Sequence, residues 1–238
     1  MMGKSKILVI VEGAKTDFNL MKRLLSVYGI SETHQIVSYN TNIYTLYSQL
    51  PDSYDEYDDI DLLQLLKERE KDESKRTLLN ERYSDILLVF DLDPQAPDFA
   101  PEKVIKMTKY FTESTNMGKL YLNYPMVESF YHMSDIPDEK YNEYIVTLDD
   151  LKNKKYKQMV HNICRDGDYT KFASNKEECD IVIKQNLEKS KLLTNTNEYL
   201  PNSIDILNKQ LDLLINKKII SVLCTCIFYI AEYNSDFI

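Results

Sequence analysis

Three acidic residues follow two strongly apolar segments of this 238-residue chain. Glu12 comes directly after the run Ile7–Val11, and Asp91 and Asp93 end the segment DILLVFDLD at residues 85–93. Carboxylates held close together repel one another, so a site built from them needs a cation. Mg²⁺ suits such oxygen ligands because it binds through one or two carboxylates and keeps water or phosphate oxygens in its other positions. The chemistry indicated is phosphodiester cleavage, with one metal ion or two about 4 Å apart.

These acidic residues can meet only if the apolar segments are strands of a parallel sheet. Short continuous apolar runs are typical of strands buried on both faces. We expect such strands over 7–11, 34–39, 85–93 and 119–124. Apolar residues at helical spacing predict a helix that ends at Gly29 and another over 101–114. Ligands bind at the carboxyl ends of parallel strands, and in an extended chain Asp91 and Asp93 would point the same way.

The remaining segments are predicted to be helical. Residues 41–83 form a polar helical insertion, and its acidic cluster, Asp52 to Asp61, is interpreted as the solvated start of a helix. Beyond residue 133 the strand signals are weak. Helices are expected there over 138–146, 149–164, 175–193, 202–216 and 219–232. The sequence thus predicts an α/β fold, with a parallel sheet flanked by helices in residues 1–133 and a helical region in residues 134–238.

The acidic charge of the chain means that nucleic-acid binding would need a metal, a partner or a local basic patch. A net charge of −9 and a pI near 5.0 argue against a broad basic surface for duplex DNA. Lys15 is one candidate for a phosphate contact, with a helix-surface lysine as the alternative. A basic patch surrounds Tyr156, which could stack on an unpaired base, and a solvated helix face is the alternative. The patch consists of Lys152, Lys154, Lys155 and Lys157.

The cysteines and histidines carry no recognisable site motif. None of the four cysteines forms a CxxC pair, which, with the lack of a signal peptide, predicts a reducing cytoplasmic location. The apolar run 219–231 is too short to span a bilayer and predicts a core helix or a homodimer surface in a soluble protein. His132 follows Glu128 by four positions and could share its helix face, but a packing role is favoured.

The two acidic motifs together resemble a known domain. The segment ILVIVEGAKTD, followed much later by ILLVFDLD, resembles the Toprim domain of topoisomerases, primases, small RNA-maturation nucleases and OLD-family nucleases. The resemblance covers about residues 5–133 and implies a Rossmann-like fold. With the downstream segment NYPMVESFYH, the chain looks most like the OLD-like and abortive-infection proteins of bacterial antiviral defence. In those systems the small Toprim protein commonly works beside an ATPase.

The resemblance implies a role for each acidic residue of the motifs. Glu12 would be the general acid/base or a carboxylate that organises the metal, and Asp91 and Asp93 would bind Mg²⁺ or Mn²⁺. Asp17 would be a further ligand or a helix cap. Glu128, after the fourth strand, would complete the site or form hydrogen bonds within it.

The leading hypothesis is a Mg²⁺-dependent endonuclease that acts on DNA or RNA, with tRNA among the candidate substrates. By resemblance it would be the effector of an antiphage defence system. The alternative is a non-catalytic module that docks to an ATPase partner. A third interpretation takes Asp91 and Asp93 as the DxD of a nucleotide-sugar transferase, but it leaves Glu12 and Gly13 without a role.

Overall fold

The computed structural model describes residues 6–50, 61–115 and 117–237, and its centre is a five-stranded sheet. The strands in chain order are β1 (Ile7–Val11), β2 (His34–Ser38), β3 (Asp85–Asp91), β4 (Thr112–Glu113) and β5 (Gly118–Asn123). They are arranged as β2-β1-β3-β5-β4, and only the short edge strand β4 is antiparallel to its neighbour. Because the other four strands run the same way, their carboxyl ends lie along one edge of the sheet.

Helices flank this sheet and make the protein an α/β fold. Helix α1 (Thr16–Val27) connects β1 to β2 and buries Leu20, Met21 and Leu24, which recur at helical spacing. Gly29 follows the helix with φ +68°, a conformation that glycine adopts without strain. The other helices are α2 (Ile43–Tyr47), α3 (Leu62–Arg69), α4 (Glu73–Leu79), α5 (Pro101–Tyr110), α6 (Leu148–Leu151), α7 (Lys155–Ile163), α8 (Lys176–Thr194), α9 (Ser203–Lys217) and α10 (Phe228–Tyr233).

The predicted sheet strands are confirmed, with ends that differ by one or two residues. The helix predicted over 101–114 ends at Tyr110, because the chain then extends into β4. Helices α2 to α4 lie within the predicted insertion at 41–83. Residues 52–59 of its acidic cluster lie outside the described residues. Asp61 does begin a helix, since its side chain accepts a hydrogen bond of 3.0 Å from the Gln64 amide.

The C-terminal region is not wholly helical, contrary to the prediction. Strands β6 (Ile145–Thr147) and β7 (Ile219–Ser221) form an antiparallel pair. The helices predicted over 138–146 and 219–232 are therefore wrong at these positions. Isoleucine and valine favour an extended chain when a neighbouring strand completes the hydrogen bonds, and helical periodicity cannot reveal such a distant partner.

The other predicted C-terminal helices are present. Those over 175–193 and 202–216 correspond to α8 and α9, and the one over 149–164 is divided between α6 and α7. The division falls at Asn153 and Lys154, which have φ of 55° and 61°. In the part of the chain that the structure describes, no helix has the length and apolar character needed to cross a membrane.

The segment after β7 packs the C-terminal region against the sheet. The backbones of Tyr124 and Leu223 exchange hydrogen bonds of 2.8 Å in both directions. Cys224 and Cys226 follow as fully buried free thiols, and the surrounding side chains belong to one core shared with the sheet. Most of the run 219–231 is therefore core, but it is built from a strand, an extended segment and a short helix.

A buried glutamine joins α9 to β7. The Gln210 side chain donates to the Ser221 carbonyl oxygen at 2.8 Å and accepts from the Ser221 amide at 3.0 Å. The side chain is fully buried, so water cannot replace these bonds. Leaving buried backbone groups unpaired costs free energy, which makes this pair of bonds important for the position of β7.

We expect Gln210→Leu to lower the free energy of unfolding by about 2–4 kcal/mol, because it leaves two buried backbone groups of Ser221 unpaired. Urea denaturation followed by circular dichroism measures the change. Gln158→Leu makes the same substitution on an exposed face of α7 and serves as the control. Equal stability of the two variants would contradict a role for Gln210 in holding β7.

Candidate functional site

The structure brings the predicted acidic residues together at the carboxyl edge of the sheet. Glu12 follows β1, Asp91 ends β3, and Asp93 lies two residues further on. Asp17 is in the first turn of α1, and Glu128 is in a 3₁₀ helix at Val127–Tyr131, beyond β5. A hydrogen bond of 3.1 Å from the Asp91 amide to Glu12 Oε2 joins the ends of the two strands. Five carboxyl groups from distant parts of the chain thus form one acidic cluster.

The turn after β1 has just enough room for Asp17. A Cβ atom at Gly13 would lie 2.5 Å from Asp17 Oδ2, so the absence of a side chain at Gly13 allows the carboxylate to occupy its place. Asp17 is only 6% exposed, and its Oδ1 has no hydrogen-bond partner among the described residues. In the described structure no side chain caps the start of α1.

A buried asparagine that the sequence analysis missed positions Asp91. Asn123 is the last residue of β5 and pairs with Asp91 in the sheet register. Its Nδ2 donates to Asp91 Oδ1 at 3.2 Å, while its Oδ1 accepts from the Cys226 amide at 3.2 Å. A polar residue at the end of a predicted buried strand was the available signal, since Asn123 opens the segment NYPMVESFYH. Asn123 thus links the C-terminal region to the acidic cluster.

Asp93 reaches the cluster through a turn rather than along a strand. The expectation that Asp91 and Asp93 lie in one extended chain is wrong, because β3 ends at Asp91 and Asp93 has φ +41°. The Asp93 amide donates to the Pro125 carbonyl oxygen at 3.1 Å, which holds this turn against the chain after β5. Gln95 Nε2 donates to Asp93 Oδ1 at 2.8 Å.

Burial and mutual repulsion favour the protonated forms of four of these carboxyl groups, those of Glu12, Asp17, Asp91 and Asp93. Burial raises the pKa of Glu12 to about 8, with further contributions from Asp93 and Asp17, while the hydrogen bond from the Asp91 amide opposes the increase. Burial, together with the charge of Glu128, raises the pKa of Asp17 to about 6. Burial and the neighbouring carboxylates also raise the pKa of Asp91, and burial raises that of Asp93. The cluster holds more negative charge than its protein surroundings stabilise.

Lys157 brings positive charge to the cluster. Its Nζ donates to Glu128 Oε1 at 2.8 Å, and Glu128 is only 3% exposed. Burial alone would lower the pKa of Lys157, but the charge of Glu128 and the hydrogen bond to it raise the pKa overall. Glu128 Oε2 is buried and has no partner among the described residues. Lys157 therefore belongs to the acidic site rather than to a separate basic patch.

The rest of the predicted basic patch does not form a binding surface around Tyr156. Tyr156 is fully buried, so the prediction that it stacks on an unpaired base is wrong. Its hydroxyl lies 3.3 Å from Nδ1 of His132, a buried ring that also stacks on Tyr144. Burial lowers the pKa of His132 to about 4, in keeping with the expected packing role. Lys152 pairs with Asp149 at 2.7 Å.

The other predicted cationic residues, Lys15, Lys154 and Lys155, are exposed. Lys154 has a left-handed backbone conformation between α6 and α7, and Lys155 begins α7. Lys15 lies at the start of α1, two residues before Asp17, and is the one of these three that is next to the acidic cluster in sequence.

The chemistry of the cluster suits a hard divalent cation. Within the described residues, no three His, Cys, Asp or Glu side chains are arranged so as to hold a metal ion. Glu12, Asp93 and Glu128 each accept a hydrogen bond from a protein donor instead. Mg²⁺ needs only one or two carboxylates, and Asp17 Oδ1 and Glu128 Oε2 are buried oxygens without partners. Oxygen donors of this kind are the ligands that Mg²⁺ and Mn²⁺ prefer.

Comparisons with models of known protein families, with curated proteins and with solved structures found no match. The fold is established as α/β with a mostly parallel sheet. What the acidic cluster does must be inferred from its own residues and their contacts.

We expect Glu12 to contribute a fall in the free energy of unfolding in EDTA as the pH rises from 6 to 8. Unfolded Glu12 titrates near 4.5 and folded Glu12 near 8, so in this range the folded state holds a proton that the unfolded state has released. The contribution of Glu12 to stability is fully present below its unfolded pKa of 4.5 and is lost as the pH approaches its folded pKa of about 8. One such group accounts for at most about 2 kcal/mol over this range.

Urea denaturation at several pH values measures this slope. Glu12→Gln should flatten it, and Mg²⁺ should restore stability most at the higher pH. Glu143→Gln, the same change at an exposed position, is the control and should leave the slope as it is. Equal slopes of the wild type and Glu12→Gln between pH 6 and 8 in EDTA would contradict the raised pKa of Glu12.

We expect Gly13→Ala to lower the free energy of unfolding by about 1–3 kcal/mol, because the added Cβ displaces the Asp17 carboxylate. The cost should largely disappear in an Asp17→Ala background, where the carboxylate is absent. A double-mutant cycle by urea denaturation measures the coupling. Equal costs in both backgrounds would show that Gly13 acts independently of Asp17.

Proposed function

We propose that this protein is a metal-dependent nuclease that uses Mg²⁺ or Mn²⁺ to hydrolyse phosphodiester bonds in DNA or RNA. The observation that carries the proposal is the acidic cluster at the carboxyl edge of the sheet, in which Asp17, Asp91 and Glu128 are buried and Glu12 and Asp93 are partly exposed. Raised carboxyl pKa values mark a charge arrangement that opposes folding, and such arrangements concentrate at functional sites. The carboxyl edge of a parallel sheet is also the usual position of a ligand site.

The sheet topology supports a Toprim-like fold. Strands β1 and β3 are parallel neighbours, and they carry the Glu and the DxD motif at the same edge. This is the arrangement that the sequence resemblance implies for Glu12, Asp91 and Asp93. The proposed place in bacterial antiviral defence, beside an ATPase partner, rests on the sequence resemblance.

Each residue of the cluster has a proposed task. Asp91 and Asp93 would hold the metal ion, with Glu12 and Asp17 beside it; when bound, the ion would activate water and stabilise the charge that develops on the phosphate. Glu12, whose pKa of about 8 lies close to neutral pH, can accept or release a proton as a general acid/base. Lys157 places a cation against Glu128 and is suited to contact a phosphate oxygen.

We expect the purified protein to cleave plasmid DNA, single-stranded DNA or tRNA when Mg²⁺ or Mn²⁺ is present. Glu12→Gln and Asp91→Asn should each lower the cleavage rate by about 100-fold or more, because they remove a proton-transfer group and a metal ligand. Gel electrophoresis of the products measures the rate. Glu143→Gln is the matched control and should cleave as the wild type does. Undiminished cleavage by both site variants would show that the cluster is not catalytic.

A non-catalytic module that docks to an ATPase is the second candidate. The observation in its favour is that one oxygen each of Glu12 and Glu128 already accepts a hydrogen bond from a protein donor, the Asp91 amide and Lys157 respectively. A ligand that binds the folded state raises the unfolding midpoint. Absence of cleavage, together with an unfolding midpoint that millimolar Mg²⁺ or Mn²⁺ does not change, would favour the docking module.

A further inference from the structure

A cavity of about 280 Å³ lies beside the acidic cluster. One side is lined by Lys15, which directly precedes α1, and by Asn19 and Arg23 of α1. The other side is lined by Tyr131 and Tyr169. Its volume is at the lower end of the range for small-molecule sites. The combination of two cations with two aromatic rings has no role in the proposed metal chemistry.

The aromatic wall of this cavity is held in place by Arg23. The rings of Tyr131 and Tyr169 stack with their centroids 4.1 Å apart and their planes 5° from parallel. Arg23 Nη1 donates to the Tyr169 carbonyl oxygen at 2.7 Å, and its guanidinium lies 5.7 Å from the centre of the Tyr131 ring. Arg23 thus joins α1 to the chain around Tyr169, so the cavity is formed before any ligand enters.

Three elements connect the cavity rigidly to the acidic cluster. Helix α1 carries Asp17 and, six residues later and roughly 9 Å along the axis, Arg23. The 3₁₀ helix carries Glu128 and Tyr131. Helix α7 carries Lys157 and also His161, whose ring packs edge-on against Tyr169 at 6.1 Å. The cavity and the cluster are therefore built on the same three elements.

The chemistry of the lining matches an unpaired nucleotide. Aromatic rings stack on the face of any base, and nearby cations track the phosphates, which together are typical of single-strand binding. Lys15 is exposed, and no carboxylate of the described residues pairs with it. A base in a duplex is paired and stacked and cannot enter a recess between side chains. The net charge of −9 also offers few of the phosphate contacts on which duplex binding depends.

We propose that this cavity binds one unpaired nucleotide of a single-stranded nucleic acid, with the base against Tyr169 and a phosphate at Lys15. The assignment rests on the proposed nuclease function, and it gives the substrate class as a single strand or a single-stranded loop. The neighbouring phosphate of the same strand would then lie at the acidic cluster.

Binding without cleavage tests this assignment. Fluorescence anisotropy in EDTA compares a short labelled single-stranded oligonucleotide with a blunt-ended duplex of two annealed strands, at constant salt. We expect tighter binding of the single strand. Tyr169→Leu should weaken it about tenfold, within the range measured for loss of one base–aromatic stack, whereas Tyr169→Phe, which keeps the ring, should bind as the wild type does.

The contribution of Lys15 is tested by salt dependence. Lys15→Gln should reduce the slope of log binding constant against log salt concentration by about 0.7, the value for one phosphate contact on a single strand. Lys184→Gln, the same change at an exposed position on α8, should leave the slope unchanged. Because Tyr169→Phe and Lys15→Gln keep the cavity packing, they test the assignment even if Tyr169→Leu does not fold.

Three results would overturn the assignment. They are equal affinity for the blunt-ended duplex and the single strand, no loss of affinity in Tyr169→Leu and Lys15→Gln, and displacement of the oligonucleotide by free adenosine monophosphate at equal concentration. Failure here is distinct from failure of the nuclease proposal. Metal-dependent cleavage that requires Glu12 but shows no single-strand binding would reject only the cavity assignment, and single-strand binding without cleavage would reject only the nuclease.

Discussion

The repulsion among buried carboxylates is the constraint on which the rest of this structure depends. Glu12 and Asp91 are joined by a backbone hydrogen bond at the ends of adjacent strands, where burial raises the pKa of both carboxyl groups. A flexible framework would let such groups separate and return to water. The apolar strands β1 and β3 prevent this, because both are packed in the core on each face and in register with each other.

The C-terminal region completes the acidic site. Helix α7 contributes Lys157, which pairs with Glu128, and the segment after β7 contributes the Cys226 amide that holds Asn123. Asn123 in turn holds Asp91. Positive charge and hydrogen bonds from beyond residue 133 thus reach carboxylates at the edge of the sheet. The two regions also share a single hydrophobic core.

The distribution of cations matters more than the total charge. The chain carries a net charge of −9, yet Lys157 lies at the acidic cluster and Lys15 and Arg23 line the adjacent cavity. A protein of this kind has little long-range attraction for a duplex. The proposed function therefore calls for a short stretch of nucleic acid that approaches closely, where a few local cations and the proposed metal ion would act at short distance.

The sequence by itself determined the strands and the acidic motifs at their ends. The runs before Glu12 and Asp91 are continuous and apolar, so their conformation and burial follow from local composition. Since neighbouring parallel strands end at one edge, the meeting of these two acidic residues could also be predicted. A glycine directly after Glu12 leaves room in the turn because it has no side chain, and the structure shows that the group it admits is the Asp17 carboxylate.

Only the tertiary structure decided the contacts between distant segments. The left-handed turn at Asp93 depends on Pro125, and the pairing of β6 with β7 joins residues about seventy positions apart. Tyr156 and Lys157 are adjacent in the chain, yet one is in the core and the other at the acidic cluster. Periodicity reports which residues share a face of one element, whereas these arrangements depend on which other element covers that face.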